Sequence, residues 1–253
     1  MKTRPLSPSA RRGFTLVEMM ITMTIGVMAI GMALSTFMFG LKTMYKDTQR
    51  LASNANLRSF TAQITKETLD ASYFYLFDYY TRLDGSVNLT TDYAALVIDD
   101  NTGTDYDKWA SHGDCLVLVT NVVVSGVTKI RTVRIYYRLT TSQATMNANA
   151  ALRYYEVDYG ASGHPSNYTL TQILNTINLN STPAISGSKQ ITDRCRGRLK
   201  PDATNRYPIF STETPEESPS TGFVSINVEF ITGTSAINML SSSSFNYTIS
   251  PRR

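Results

Sequence analysis

Arg11-Arg12-Gly13-Phe14-Thr15-Leu16-Val17-Glu18 leads without a break into Met19–Leu41, about 23 residues with no charged side chain. This junction decides the architecture. At about 1.5 Å rise per residue the apolar run makes a helix of roughly 35 Å, enough to cross a bilayer. It is too long for the apolar core of a secretory signal peptide, and no small-x-small cleavage site follows it. The basic residues Lys2, Arg4, Arg11 and Arg12 precede it, which places the N-terminus on the cytoplasmic side and the remainder outside. Glu18 breaks the pattern. A carboxylate at the edge of an apolar helix is costly against lipid and needs a partner.

The same residues resemble the prepilin signature: a basic leader ending in glycine, then Phe-Thr-Leu-x-Glu opening a long apolar helix. On these residues the chain is similar to the type IV pilin and type II secretion pseudopilin superfamily. The resemblance covers about the first 40 residues. It implies cleavage after Gly13 by a prepilin peptidase and methyltransferase, N-methylation of Phe14, and assembly through Phe14 and Glu18. Cleavage frees an α-amine that is cationic at neutral pH, and helix geometry sets Phe14 and Glu18 one turn apart on one face. Glu18 of one subunit then pairs with the Phe14 amine of a neighbour, which offsets the burial of either group and sets register.

The implied partners are other pilin or pseudopilin subunits, the processing enzyme and an inner-membrane assembly platform. The implied location is a single-pass inner-membrane anchor with the head in the periplasm, and afterwards a filament. Where many pilins carry proline at the twenty-second mature position, this chain has Ser35. Seven of the ten methionines lie between Met19 and Met44, and flexible packing in lipid or in a filament core explains them better than a metal stripe.

Of the 24 basic residues in a chain of 253, four lie in residues 1–13, which leaves 20 against 20 acidic ones. The net charge of +4 therefore belongs to the leader, and a mature chain is neutral.

No glycine or proline stands between Leu41 and Asp84, so nothing stops the helix at the membrane surface. Leu57, Phe60, Ile64 and Ala71 share one face, with Arg58, Lys66 and Glu67 off it, which is an amphipathic continuation. The expected division is a cleaved leader 1–13, a transmembrane helix 14–41, an amphipathic continuation 42–80 and a β-rich head 81–253. Tyr73 to Tyr80 marks the junction of helix and head. The expected fold class is α+β and pilin-like, a long N-terminal helix packed on an antiparallel sheet.

Beyond the helix the apolar period becomes two. Val133, Ile135, Tyr137 and Leu139 alternate with polar residues, as do Val224, Ile226, Val228 and Phe230; both are half-buried strands. Ala94–Ile98, Cys115–Val124, Leu152–Tyr159 and Phe245–Ile249 are further strands, with a hairpin at Ser125-Gly126. Residues 160–220, rich in Ser, Thr, Asn and Pro, read as an irregular insertion with a short helix near Leu170–Leu179.

Catalytic patterns are missing. Gly160-Ala161-Ser162-Gly163-His164 is not Gly-x-Ser-x-Gly and reads as a loop. Neither phosphate-binding glycine motifs nor a His-Glu-x-x-His pair occurs, so the expectation is a protein without enzymatic activity or cofactor.

Two weaker patterns remain. Asp99, Asn101, Asp105 and Asp107 offer oxygen ligands of the kind calcium takes, but Ala110 stands where a calcium loop has glutamate, so an Asx-rich turn is the default. Lys189, Arg194, Arg196, Arg198, Lys200 and Arg206 form a cationic stretch able to meet nucleic-acid phosphates. A solvated loop suits the neutral mature chain better. Cys115 and Cys195 stand open between a disulfide, if the head is extracytoplasmic, and two separate buried thiols.

The N-terminal residues together with the size resemble the W-type minor pilin and the related J-type pseudopilin. A minor pilin is the leading expectation, with a type II secretion pseudopilin or a DNA- or ligand-binding tip subunit as alternatives.

Overall fold

The computed structural model describes residues 15–89, 96–97, 110–141, 147–179, 187–197, 199, 205–213, 223–232 and 241–249. The contacts divide the chain into two units, Met1–Thr48 and Gln49–Arg253. The second is called the head below.

A single helix, α1, runs Leu16–Asp70 over 55 residues. Its first unit carries apolar side chains outward: Leu16, Met23, Val27, Met32 and Phe39 are all more than half exposed. An 18-residue window of mean hydropathy 1.8 in α1 has none of its residues buried, which is consistent with membrane anchoring. Within the head the same helix changes character. Phe60 and Ile64 are buried and Leu57 packs beside them, as the apolar spacing predicts.

The helix ends before the expected boundary at residue 80. Residues Tyr73–Phe77 form strand β1, paired antiparallel with β4 (Cys115–Val124) from Tyr73↔Val119 to Phe77↔Cys115. Five consecutive aromatic or branched residues favour a pleated surface with a partner strand over another helical turn. The amphipathic helix therefore stops at Asp70 rather than continuing to residue 80.

The remaining strands are β2 (Leu96–Val97), β3 (Ala110–Gly113), β4 (Cys115–Val124), β5 (Val127–Arg138), β6 (Ala150–Asp158), β7 (Lys189–Gly197), β8 (Phe210–Glu213), β9 (Phe223–Thr232) and β10 (Ser241–Ile249). Among the described residues they make one sheet in the order β1-β4-β5-β6-β7-β9-β8-β3-β2, with β10 also on β9. Every described pairing is antiparallel. Ser125 and Gly126 turn β4 into β5 with φ of 53° and 78°, the left-handed pair a two-residue hairpin requires.

The stretch 160–220 is more regular than its composition suggests, because β7, β8 and the helix α2 (Leu170–Ile177) all lie in it. Thr169 caps α2: its hydroxyl accepts from the Gln172 N–H, while the Gln172 side chain accepts from Thr169 N–H. Lys189–Gly197 escaped the sequence reading because polar residues alternate there with few apolar ones. It is held by register with β6 and β9 rather than by a strong apolar face.

The period of two divides the sheet side chains between two cores. Leu116, Leu118, Tyr136, Leu152, Ile226 and Phe230 pack on the α1 side with Phe60 and Ile64. Val117, Val119, Val133 and Ile135 pack on the other side with Ile173 and Leu174 of α2. The head is thus an α+β fold of helix, sheet and helix with pilin-like architecture.

Two polar clusters lock these layers. Asp114, in the break between β3 and β4, is fully buried with Arg138, at 0% side-chain exposure each and Nη2 to Oδ2 2.7 Å. The second holds α1 to the sheet. Glu67 accepts from Tyr136 Oη at 2.6 Å, Tyr154 Oη at 3.1 Å and Gln63 Nε2 at 2.9 Å. The apolar spacing of α1 sets Glu67 off the packed face, yet it turns inward because two phenol donors await it on the sheet.

Burial, with the Glu67 carboxylate opposite, pushes the phenols of Tyr136 and Tyr154 well up. Burial, with Tyr75 beside it, pushes Tyr73 up to about 12. Raised folded-state values stabilise the fold below the ordinary phenol pKa of about 10 and lose that contribution as the pH rises through them. The melting temperature of the head should therefore hold up to about pH 10 and fall above it, with Tyr136→Phe weakening that fall. A fall that Tyr136→Phe leaves unchanged would contradict this assignment.

Candidate functional site

The start of α1 is built from Thr15 and Glu18. Thr15 precedes the first helical residue, and its N–H and its hydroxyl both donate to Glu18 Oε2 at 2.9 Å. The Glu18 N–H donates back to Thr15 Oγ1 at 3.3 Å. This is a reciprocal capping box, satisfying N–H groups that have no partner in the first helical turn. The helix dipole favours the carboxylate in this position. Thr15 and Glu18 are exposed, so the charge stands open to solvent at the start of the helix. The spacing Thr-x-x-Glu before an apolar run is a readable capping signature, a local role for Glu18 beside the expected one in assembly. Gly13 and Phe14 lie outside the described residues.

With that geometry in place, the comparisons bear on the same segment. A family model described as the prokaryotic N-terminal methylation motif matches residues 8–34. No curated protein and no solved structure matches the chain. The motif and the long apolar helix behind it support a type IV pilin-like signal at the start of an α+β chain of pilin-like architecture. That signal supports a pilin- or pseudopilin-like protein, one that meets other such subunits and a prepilin peptidase.

The remaining candidate residues fall elsewhere in the head. Cys115 and Cys195 are free thiols, both buried. Cys115 belongs to the core under α2 and Cys195 to the core under α1, so alternation along β4 and β7 turns them to opposite faces of the sheet. The disulfide reading gives way to the two-thiol one. Burial pushes both thiols well up, which keeps them protonated and unreactive.

In the basic stretch, Arg194 is exposed on β7, while Arg196 is bound by both oxygens of Glu229, the residue opposite it on β9. Hydrogen bonds from Arg196 hold the Glu229 carboxyl below its usual range. Arg206 donates to Gly197 O at 2.8 Å and lies 3.6 Å from the same carboxylate. The register across β7 and β9 thus turns part of a linear run of cations into a paired cluster; Arg198 and Lys200 lie outside the described residues. So do the oxygen-rich residues Asp99, Asn101, Asp105 and Asp107. Among the described residues, no three His, Cys, Asp or Glu side chains form a metal-binding group.

The loop Gly160–His164 follows β6 as a turn. Asp158 Oδ1 accepts from Gly160 N–H at 2.9 Å, and the Gly163 N–H returns to Gly160 O at 3.1 Å. These bonds close a tight turn after β6.

Proposed function

We propose that the protein is a minor pilin: a non-enzymatic subunit without a cofactor that helps prime, assemble or cap a type IV pilus. The observation that carries this reading is the methylation motif at residues 8–34 on a helix whose first unit presents apolar side chains outward and whose second unit is packed on a sheet. Cleavage after Gly13 leaves Phe14 as the methylated N-terminus. The cytoplasmic leader is removed and the head stands on the periplasmic side. In the filament, the Glu18 carboxylate of one subunit meets the Phe14 amine of the next. The size of the head, over two hundred residues from Gln49 to Arg253, suits a scarce specialised subunit better than a bulk one.

Deletion of the gene, with surface pili counted and exoprotein secretion measured in the same strain, tests the assignment. Loss or strong reduction of pili with normal secretion is expected. Normal pili with failed secretion would overturn the pilus assignment in favour of a type II secretion pseudopilin.

A further inference from the structure

A cavity of about 360 Å³ lies on the sheet face that carries α2, at the small end of the roughly 300–1,000 Å³ range of ligand pockets. It forms where the β4–β5 register slips. Thr120 pairs with Thr132 but Asn121 pairs with Ile130, so Arg131 is bulged out, and bulges re-aim side chains beside binding sites. Three tyrosines stand in its wall: Tyr73 and Tyr75 from β1, and Tyr168 from the segment leading into α2. The rings of Tyr73 and Tyr75 meet edge to face, with centroids 5.9 Å apart.

Tyr168 is 42% exposed yet held in place. His164 stacks on it at 4.4 Å and abuts Tyr159 at 4.5 Å, and the His164 N–H donates to Ile130 O at 2.8 Å. Gly163 makes that anchoring possible. Its φ is +67°, and a Cβ there would lie 2.8 Å from Lys129 Cβ.

Between the rings the lining is amide and hydroxyl: Asn121, Asn167, Ser166 and Thr128. Lys129 is the one charged side chain among the described lining residues. Asn121 anchors its backbone through its N–H to Ser72 Oγ at 3.0 Å, while its Oδ1 is buried without a hydrogen-bond partner. A buried acceptor left unmade is costly.

We propose that this cavity binds a short neutral saccharide. Sugar rings combine apolar C–H faces, which pack on tyrosine, with hydroxyls that serve as donors and acceptors for amides and side-chain hydroxyls. A phosphate-rich ligand would meet a single cation here, too few for tight anion binding. A purely apolar ligand would bury the amide and hydroxyls of Asn167, Ser166 and Thr128 without partners. The inference goes beyond the minor pilin assignment and does not depend on it.

The test is saturation-transfer NMR on the full chain in a detergent without a sugar headgroup, with maltose, lactose and diacetylchitobiose as probes. Transfer to ring C–H protons of at least one sugar is expected. Tyr168→Ala should weaken binding about tenfold, the loss of one well-placed aromatic contact, and Asn167→Ala should weaken it as well. Tyr247→Ala, at an exposed tyrosine of β10 outside the cavity, should leave it unchanged. Circular dichroism checks that each variant is folded; should Tyr168→Ala fail to fold, Asn167→Ala decides. No transfer to any of the three sugars overturns the proposal, as does binding that the folded cavity variants leave intact or that Tyr247→Ala weakens equally.

Discussion

Glu18→Gln is expected to enter filaments at least about tenfold less than the parent protein while its head melts at the parent temperature. Glutamine serves as well as glutamate at the third position of a capping box, so the bonds between Thr15 and residue 18 survive the substitution. What disappears is the negative charge. In the proposed filament that charge faces the Phe14 amine of a neighbour among packed apolar helices, and removing one partner of a buried ion pair costs about 3–5 kcal/mol. A tenfold change corresponds to only about 1.4 kcal/mol, so the effect should be plain in the ratio of variant to parent in sheared filaments. Equal ratios would mean that the carboxylate does no more than cap its own helix.

Asp114→Ala should have the largest effect on the head itself. Three further groups share the carboxylate besides its bond to Arg138 Nη2: Arg138 Nε at 3.0 Å, the Thr140 hydroxyl at 2.6 Å and the Ile209 N–H at 3.1 Å. These tie the break between β3 and β4 to the end of β5 and to the segment entering β8. Alanine takes the Asp114 carboxylate away from a guanidinium with no side-chain exposure, a loss of about 3–5 kcal/mol. That is a large share of the roughly 5–15 kcal/mol that holds a typical domain. At about 2–4 °C per kcal/mol for a domain of this size, the melting temperature should drop by about 10 °C. Combining Asp114→Leu with Arg138→Met should recover much of the loss, because an apolar pair of similar volume often matches a buried ion pair. A melting temperature within about 2 °C of the parent for Asp114→Ala would show that water reaches the site.

The elements most legible in the sequence were those with a strong period. The apolar run, the Phe60 and Ile64 face and the alternation of Val224 to Phe230 all became α1 and β9 as their spacing dictates. So did the short helix near Leu170 and the hairpin at Ser125-Gly126. Boundaries and polar partners were harder. Tyr73–Phe77 became a strand because β4 was there to pair with it, a non-local fact that no local window contains. Glu67 and Asp114 look like ordinary surface carboxylates in the sequence. Their roles follow from Tyr136, Tyr154 and Arg138, which lie 69, 87 and 24 residues away along the chain. The cysteines failed to pair for a related reason: parity along two strands, visible only once register is known, turns them to different layers. At the α1 terminus the reverse holds, since Gly13, Phe14 and Glu18 were legible as a linear signature and the family model falls on the same segment.

Intact mass and N-terminal fragment analysis of the protein purified from its native membrane or filament tests the central claim most directly. The account predicts a chain that begins at Phe14, carries one methyl group on its α-nitrogen and retains no species with residues 1–13. A native protein that still begins with Met1, or one cut at a different bond, would contradict it.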